Sequence, residues 1–547
     1  MASSDFDMET ENLDPDFTPK TIAEKLKLGD DFADWLSKEK FSEEDPVLVL
    51  NFVGMDFLHA QNRDDIKKAL VPIGYRGENG DNVLFTTEPT ILTSVIFSYS
   101  DETTKVLDLH LNISIFEKDQ IKMFWRALVV LFVNSLMSLL AGLASYHFML
   151  QFLPIFIQRK LYGLDQCKID KKPVPEPIGV IAAAIYLIFL FTFIPLPFYD
   201  LLNQRAIFTG ENGLTNIECD NSSLLNLLSL LAGLVSICTA VLLGFADDIL
   251  DLRWRHKLLF PTLSSMPLLL VYLLSKNSTA VLLPHFLQKY LGGASFLDIG
   301  PFYYIYMVSL VIFCTNAINI IAGINGVEVG QSLVITASIA LFNTIQVIRS
   351  VDSIQLWHHV LSLCFILPFI GTSTALFIIN KYPAKAFVGD TYCYWAGMTI
   401  AVSALTGRFS KTLLLFLLPQ IINFIFSCPQ LFHLIPCPRH RLPRLNENGK
   451  LEMSMVEFQP HKLSKIGNVC FRILGMARLI YYKEYIKDGE SWVSMNNLTI
   501  LNLILKFNRP QFEWELTNKF IILQILCSIF AFFCRFCLAR IFYDEVN

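Results

Sequence analysis

The chain has 547 residues, 53% of them hydrophobic and 17% charged, with a mean hydropathy of +0.46. That balance excludes an ordinary soluble enzyme, in which about a quarter of residues are charged. The formal net charge of −5 conceals a division: residues 1–120 hold 11 Lys and Arg against 25 Asp and Glu, whereas residues 121–547 hold 33 against 24. An acidic, water-loving head precedes a basic, lipid-loving body, and nucleic acid is not an expected partner. All 12 cysteines lie in the body, mostly inside apolar runs, where they read as small buried hydrophobes rather than a disulfide framework.

In chain order, the opening MASSDFDMETENLDPDF lacks the basic start and apolar stretch of a secretory signal, so membrane entry is expected to use the body's own spans. Thr18 and Pro19 resemble a helix cap and first turn leading to about Lys38. Leu107, Leu109, Leu111, Ile113 and Ile115 alternate with polar residues and predict a strand. Residues 1–120 therefore read as a small soluble α+β domain without a catalytic signature.

Residues 121–547 hold about ten runs long enough to cross a hydrocarbon core about 30 Å thick as helices. They lie near Ala127 to Ile157, bent near Pro154, then Ile178 to Phe198, Leu224 to Phe245, Leu258 to Leu274 and Tyr303 to Ala322. The others are Val327 to Val347, Trp357 to Ile379, Tyr392 to Leu405, Leu413 to Ile435 and Phe520 to Phe542. The fold class is thus an all-α polytopic membrane protein carrying a small N-terminal domain. Cations cluster after the first run (Arg159, Lys160, Lys168, Lys171, Lys172), after the third (Arg253, Arg255, Lys257) and in a long segment at about 436–518. The positive-inside rule makes those connections cytoplasmic and puts both ends of the body across the membrane from them. The sequons at Asn221 and Asn277 then face the glycosylated side, and the one at Asn497 does not.

Four polar clusters stand at the cytoplasmic ends of these runs. The third run closes in Gly244-Phe245-Ala246-Asp247-Asp248-Ile249-Leu250-Asp251, followed by Arg253, Arg255, His256 and Lys257. On a continuing helix Asp247 and Asp251 would share a face. The fifth run closes with Asn316, Asn319 and Gly323 at helical spacing and a tight turn at Ile324-Asn325-Gly326. Ala386-Phe387-Val388-Gly389-Asp390 opens the eighth, and Pro438-Arg439-His440-Arg441-Leu442-Pro443-Arg444 follows the ninth. Taken singly, each has a plainer reading as a salt-bridged span boundary, an amide pair, a Gly-Asp turn or a lipid anchor. Their convergence on one membrane face favours transfer of a phosphate-bearing group with a lipid as one reactant. Hard oxygen ligands without a Cys or His cluster favour Mg²⁺ over Zn²⁺.

From about Phe124 to Val546 these motifs, in this order, resemble the polyprenyl-phosphate N-acetylhexosamine-1-phosphate transferases. The resemblance implies that dolichyl phosphate attacks the β-phosphorus of UDP-N-acetylglucosamine, giving dolichyl-diphosphate-N-acetylglucosamine and UMP as the first step of N-glycan precursor synthesis. It implies Asn319 and Asp390 as Mg²⁺ ligands, Lys257 and Arg441 on phosphate oxygens, His440 and Arg441 at the amino sugar, and Arg439 among the substrate-binding residues. Gly323 and Asn325 match a uracil-reading turn with Phe387 stacking on the base, and Glu176 matches a carboxylate that organises the arginine loop. Asp247 would act as base or charge organiser, with Asp248 supporting the lysine. A homodimer in the endoplasmic reticulum membrane, its active site facing the cytoplasm, is also implied. A transferase acting on undecaprenyl phosphate is one rival, and a nucleotide-sugar transporter is a more distant one, since no internal repeat is evident.

Overall fold

The computed structural model describes residues 113–542, with breaks at 170, 200–220, 253, 276–278, 289, 291–294, 351–352, 439–440, 488 and 509, and three short strands before them. The chain divides into two compact units, Met1–Phe124 and Trp125–Asn547. In the first, β1 (Val49–Asn51), β2 (Ser94–Ser98) and β3 (Thr104–Asp108) form an antiparallel sheet in that order. The helix expected from Thr18 to Lys38 lies outside the described residues. The strand expected over Leu107 to Ile115 is corrected: β3 ends at Asp108, and Ile113 and Ile115 belong to the long helix α1 (Ile113–Gln158). Adding residues to an existing helix avoids the nucleation cost that a new strand would carry, and the local alternation yields to it.

Each of the ten predicted runs falls on helix. After α1 come α2 (Gly179–Phe193), α3 (Asn221–Leu250), α4 (Trp254–Leu274), α5 (Pro301–Ile320), α6 (Val327–Arg349), α7 (Ser353–Asn380) and α8 (Gly389–Thr406). Then follow α9 (Ser410–Phe416), α10 (Leu418–Leu431), α11 (Lys465–Met476), α12 (Ile500–Phe507) and α13 (Glu513–Phe533). Among the described residues seven helices are long and apolar enough to cross a membrane. The run expected as one span from Leu413 to Ile435 is instead α9 and α10, bent by 72°. Pro419, in the first turn of α10, has no N–H to carry the α9 hydrogen-bond ladder across Leu417. Pro154 does not interrupt α1, which continues four residues beyond it.

The centre of the bundle is α8. Every residue from Thr391 to Thr406 is buried, and the Tyr392 and Trp395 rings pack with Phe369 of α7, while Trp395 also meets Tyr186 of α2. Small and hydroxyl residues along α8 let neighbouring backbones come close, which is what holds helices together where lipid offers no hydrophobic contrast. α3 crosses α8 at Gly244, where a Cβ would lie 2.8 Å from Thr391 Cα. By contrast α1 exposes Phe132, Leu139 and Leu143, as a lipid-facing helix does. The remaining sheets are small and include a hairpin of β4 (Tyr162–Leu164) and β5 (Pro173–Pro175), and the antiparallel β6 (Met455–Phe458), β7 (Tyr482–Lys487) and β8 (Glu490–Asn496) in the order β6-β8-β7.

Candidate active site

The end of α3, the start of α4, the α5–α6 turn and the start of α8 meet at one place. α3 stops because Asp251 takes a left-handed backbone (φ 46°) and its N–H closes on Asp247 O at 2.9 Å. Asp251 is therefore exposed beyond the helix and does not share a face with Asp247, as expected of a continuing helix. Asp247 is buried; its Oδ1 accepts the Leu252 N–H at 3.1 Å and its Oδ2 lies 2.9 Å from Lys257 Nζ. Lys257 also reaches Asp390 Oδ2 at 2.6 Å, and Asp390 Oδ1 accepts from Asn319 Nδ2 at 2.9 Å. One ammonium thus joins two carboxylates from different helices, with an amide on the far side of the second.

Asp248 has another task. Its oxygens accept the Asp390 N–H (2.6 Å), the Thr391 N–H (2.8 Å) and the Thr391 hydroxyl, satisfying the orphan donors at the start of α8. The approach requires a residue without a side chain at Gly389, whose φ is +75° and whose Cβ would overlap Pro177 and lie 2.7 Å from Asp248 Oδ2. Asn316, expected on the same face as Asn319, instead donates to Ile312 O and Lys257 O and so ties α5 to the start of α4. Gly323 is not on that helical face, because α5 ends at Ile320.

In front of these groups lies a cleft of about 280 Å³ whose walls include Glu176, Asn319, Gly323, Asn325, Phe387 and Asp390. The backbone of residues 175–179 pairs with 387–388 through Phe387 N to Pro175 O (2.8 Å) and Ile178 N to Phe387 O (3.0 Å), which sets Glu176 beside Phe387. Burial first, then the charges of Asp248 and Asp390, push the Glu176 carboxyl up to about 7. The Lys257 ammonium pairs with Asp247 and Asp390 alone, so with Asp248 and Glu176 close by the group carries a surplus of negative charge. Hard oxygens with uncompensated negative charge fit a divalent cation such as Mg²⁺. Arg439 and His440 lie outside the described residues. Arg441 does not line the cleft, but its neighbour Leu442 does, packed on Gly323. The Arg441 carbonyl is held by Asn502 Nδ2 at 2.9 Å, and its Nη1 is buried without a hydrogen-bond partner among the described residues; burial lowers its proton affinity. An anion would satisfy that guanidinium.

The sequence reading missed a lock behind the cleft. Lys168 Nζ lies 2.9 Å from both Asp165 and Glu513 and 3.0 Å from Asn325 Oδ1. Glu513 Oε1 accepts the Asn325 N–H at 2.6 Å, Asp165 Oδ2 accepts from Asn325 Nδ2 at 3.1 Å, and the Ala384 N–H donates to Asn325 Oδ1 at 2.9 Å. Burial alone would lower the Lys168 ammonium, but Asp165 and Glu513 outweigh it and hold it above the usual lysine range. The Asn325 side chain is therefore fully engaged inside the protein and shapes its turn. Asp165, Cys167 and Glu513 present donors close enough for a metal. Lys168 already bridges both of those carboxylates and offsets one of their two charges. No local motif marks the lock, since Lys168 and Glu513 are 345 residues apart.

Residues 230–408 match the family model described as Glycosyl transferase family 4. That interval carries Asp247, Asp248, Lys257, Asn319, Gly323, Asn325, Phe387 and Asp390. The chain is 40% identical to the UDP-N-acetylglucosamine–dolichyl-phosphate N-acetylglucosaminephosphotransferase of Saccharomyces cerevisiae over 72% of its own length and 88% of the relative. Identity to the protein of the same name is 40% in Schizosaccharomyces pombe, covering 75% and 93%, and 37% in Dictyostelium discoideum, covering 72% and 86%.

Proposed function

This chain belongs to the UDP-N-acetylglucosamine–dolichyl-phosphate N-acetylglucosaminephosphotransferases of glycosyl transferase family 4, and from that premise we propose how its cleft carries out the reaction. The enzyme transfers N-acetylglucosamine-1-phosphate from UDP-N-acetylglucosamine to dolichyl phosphate. A phosphate oxygen of dolichyl phosphate bonds to the β-phosphorus, the bond from that phosphorus to the bridging oxygen breaks, and UMP leaves with the bridging oxygen. The observation that carries the reading of the site is the Asp247–Lys257–Asp390–Asn319 chain at the edge of the cleft.

Asn319 and Asp390 would hold Mg²⁺, which supplies charge neutralisation for the diphosphate. Lys257 sits between the carboxylates, and we assign it to the same phosphates, where fixed positive charge would stabilise the negative charge that grows on the leaving group. Both oxygens of Asp247 are engaged, one by Lys257 and one by the Leu252 N–H. This supports an organising role over covalent attack, because dolichyl phosphate is itself an anionic nucleophile. Phe387 offers a face for the uracil, the 323–325 turn closes over it, and the loop holding Arg439, His440 and Arg441 takes the sugar phosphate.

We assign ten spans: the seven long apolar helices, the bent α9–α10 pair, the shorter α2, and α8, whose polar residues are covered by its neighbours. The cations after α1 and α3 and in 436–518 support a cleft on the cytoplasmic face, in what we assign as the endoplasmic reticulum membrane. Purified protein with Mg²⁺ is expected to release UMP from UDP-N-acetylglucosamine only when dolichyl phosphate is present, and more slowly with undecaprenyl phosphate. Movement of the nucleotide sugar across vesicles without UMP release would sink the reading in favour of a transporter.

A further inference from the structure

Helix α11 has two apolar faces, and the fold uses one. Gly467, Phe471 and Leu474, at spacings of four and three, turn inward: Phe471 and Leu474 pack on the core of Ile435, Phe458, Val493 and Met495. Gly467 lies so close to the Leu434 carbonyl that any Cβ there would overlap it. The second face is Ile466, Val469, Ile473 and Met476, at spacings of three, four and three and thus one continuous stripe opposite the first. Its residues are 64%, 55%, 54% and 77% exposed. A stripe of four large side chains left in water costs free energy that the fold gains nothing by accepting.

Charge and position identify what covers it. From Phe458 to Tyr482 the chain has Lys462, Lys465, Arg472 and Arg478 and no Asp or Glu. Lys465 and Arg472, one heptad apart, border the apolar stripe on one side. The anchor at Leu434 is three residues beyond α10, half of the bent apolar pair, which itself exposes Ile425 and Phe432. The stripe is therefore tied to the end of a membrane-spanning element. An amphipathic helix with a cationic margin at that level has the composition of an interfacial helix.

We propose that α11 is an in-plane membrane helix that sinks Ile466, Val469, Ile473 and Met476 into the acyl boundary of an anionic bilayer leaflet, with Lys465 and Arg472 on the lipid headgroups. The surface lies outside the transferase cleft and is independent of the residue roles proposed there. Its effect is to clamp the 436–518 segment, and with it the Arg441 loop, against the bilayer that holds the lipid substrate.

The full chain, reconstituted in nanodiscs, carries the photoreactive residue p-benzoylphenylalanine at position 473, 476 or 474. After illumination, positions 473 and 476 are expected to yield lipid adducts, severalfold more in discs containing phosphatidylserine than in phosphatidylcholine alone, while position 474 yields adducts to its own chain. Adducts at 473 and 476 to a second copy of the protein, to another protein, or to nothing would overturn the proposal. Unsubstituted protein provides a second measurement, free of any folding defect. Amide hydrogen exchange across 466–476 is expected to slow in the anionic discs, and equal exchange in both lipids would also overturn it.

Discussion

Asp248 does for α8 what a capping side chain does for an isolated helix, although it comes from 142 residues earlier in the chain. Asp248→Ala leaves the Asp390 and Thr391 donors unpaired and is expected to cost about 1–3 kcal/mol, read as a lowered thermal midpoint together with lost turnover. Gly389→Ala attacks the same junction by overlap and by its left-handed backbone, at a cost of about 1–3 kcal/mol or more. At the proposed metal ligands, Asn319→Ala and Asp390→Ala should lower kcat by about 100-fold or more, in part recoverable at raised Mg²⁺. Near-normal turnover in either would remove that residue from the metal's surroundings. Glu176 gives a pH signature. A carboxyl raised from 4.5 to about 7 binds more protons folded than unfolded between those values, so it takes stability away as pH rises through that window. In metal-free buffer Glu176→Gln should therefore raise the thermal midpoint at pH 8 and leave it nearly unchanged at pH 5. An equal shift at both would mean that the carboxyl does not titrate there.

At the scale of elements, the hairpin loop at Asp165 and Lys168, the α5–α6 turn and the start of α13 act as one unit through Asn325. Lys168→Ala and Glu513→Gln are each expected to raise the KM for UDP-N-acetylglucosamine about tenfold with a smaller change in kcat and in the KM for dolichyl phosphate. The double variant should do little more than either alone, because both break one network. Additive effects would mean that the residues act separately. The contrast with Asp247, Asn319 and Asp390 shows what a sequence discloses. Those residues announce themselves because polar groups at the ends of apolar runs need a reason to be there. Lys168 looked like a topological cation, nothing local singles out Glu513, and only the folded chain makes them partners. Element boundaries were read less well for local reasons: Asp251 turns left-handed and ends α3, Pro419 bends one expected span into two helices, and α1 takes over the expected end of a strand.

For the whole molecule, the side of the membrane decides which sequons are used. Asn497 is buried, accepts from Gln430 Nε2 and donates to Ser454 Oγ, while Thr499 caps α12. With the cleft on the cytoplasmic face, a glycosidase-sensitive mass shift is expected to vanish in Asn277→Gln or Asn221→Gln and to persist in Asn497→Gln. Loss of the whole shift in Asn497→Gln would invert the topology. The order of the helices carries a further implication. α13, the last long helix described, supplies Glu513 to the turn and, through Gln524, pairs with Gln420, which in turn bonds Gln331 beneath the end of α5. Gln331 in its turn caps the carbonyls of Ile318 and Ile321. During biosynthesis every motif of the catalytic centre is threaded into the bilayer before this element leaves the ribosome. A nascent chain halted before residue 513 would hold all the reactive groups yet have nothing to brace the floor beneath them, so competence waits on the emergence of α13.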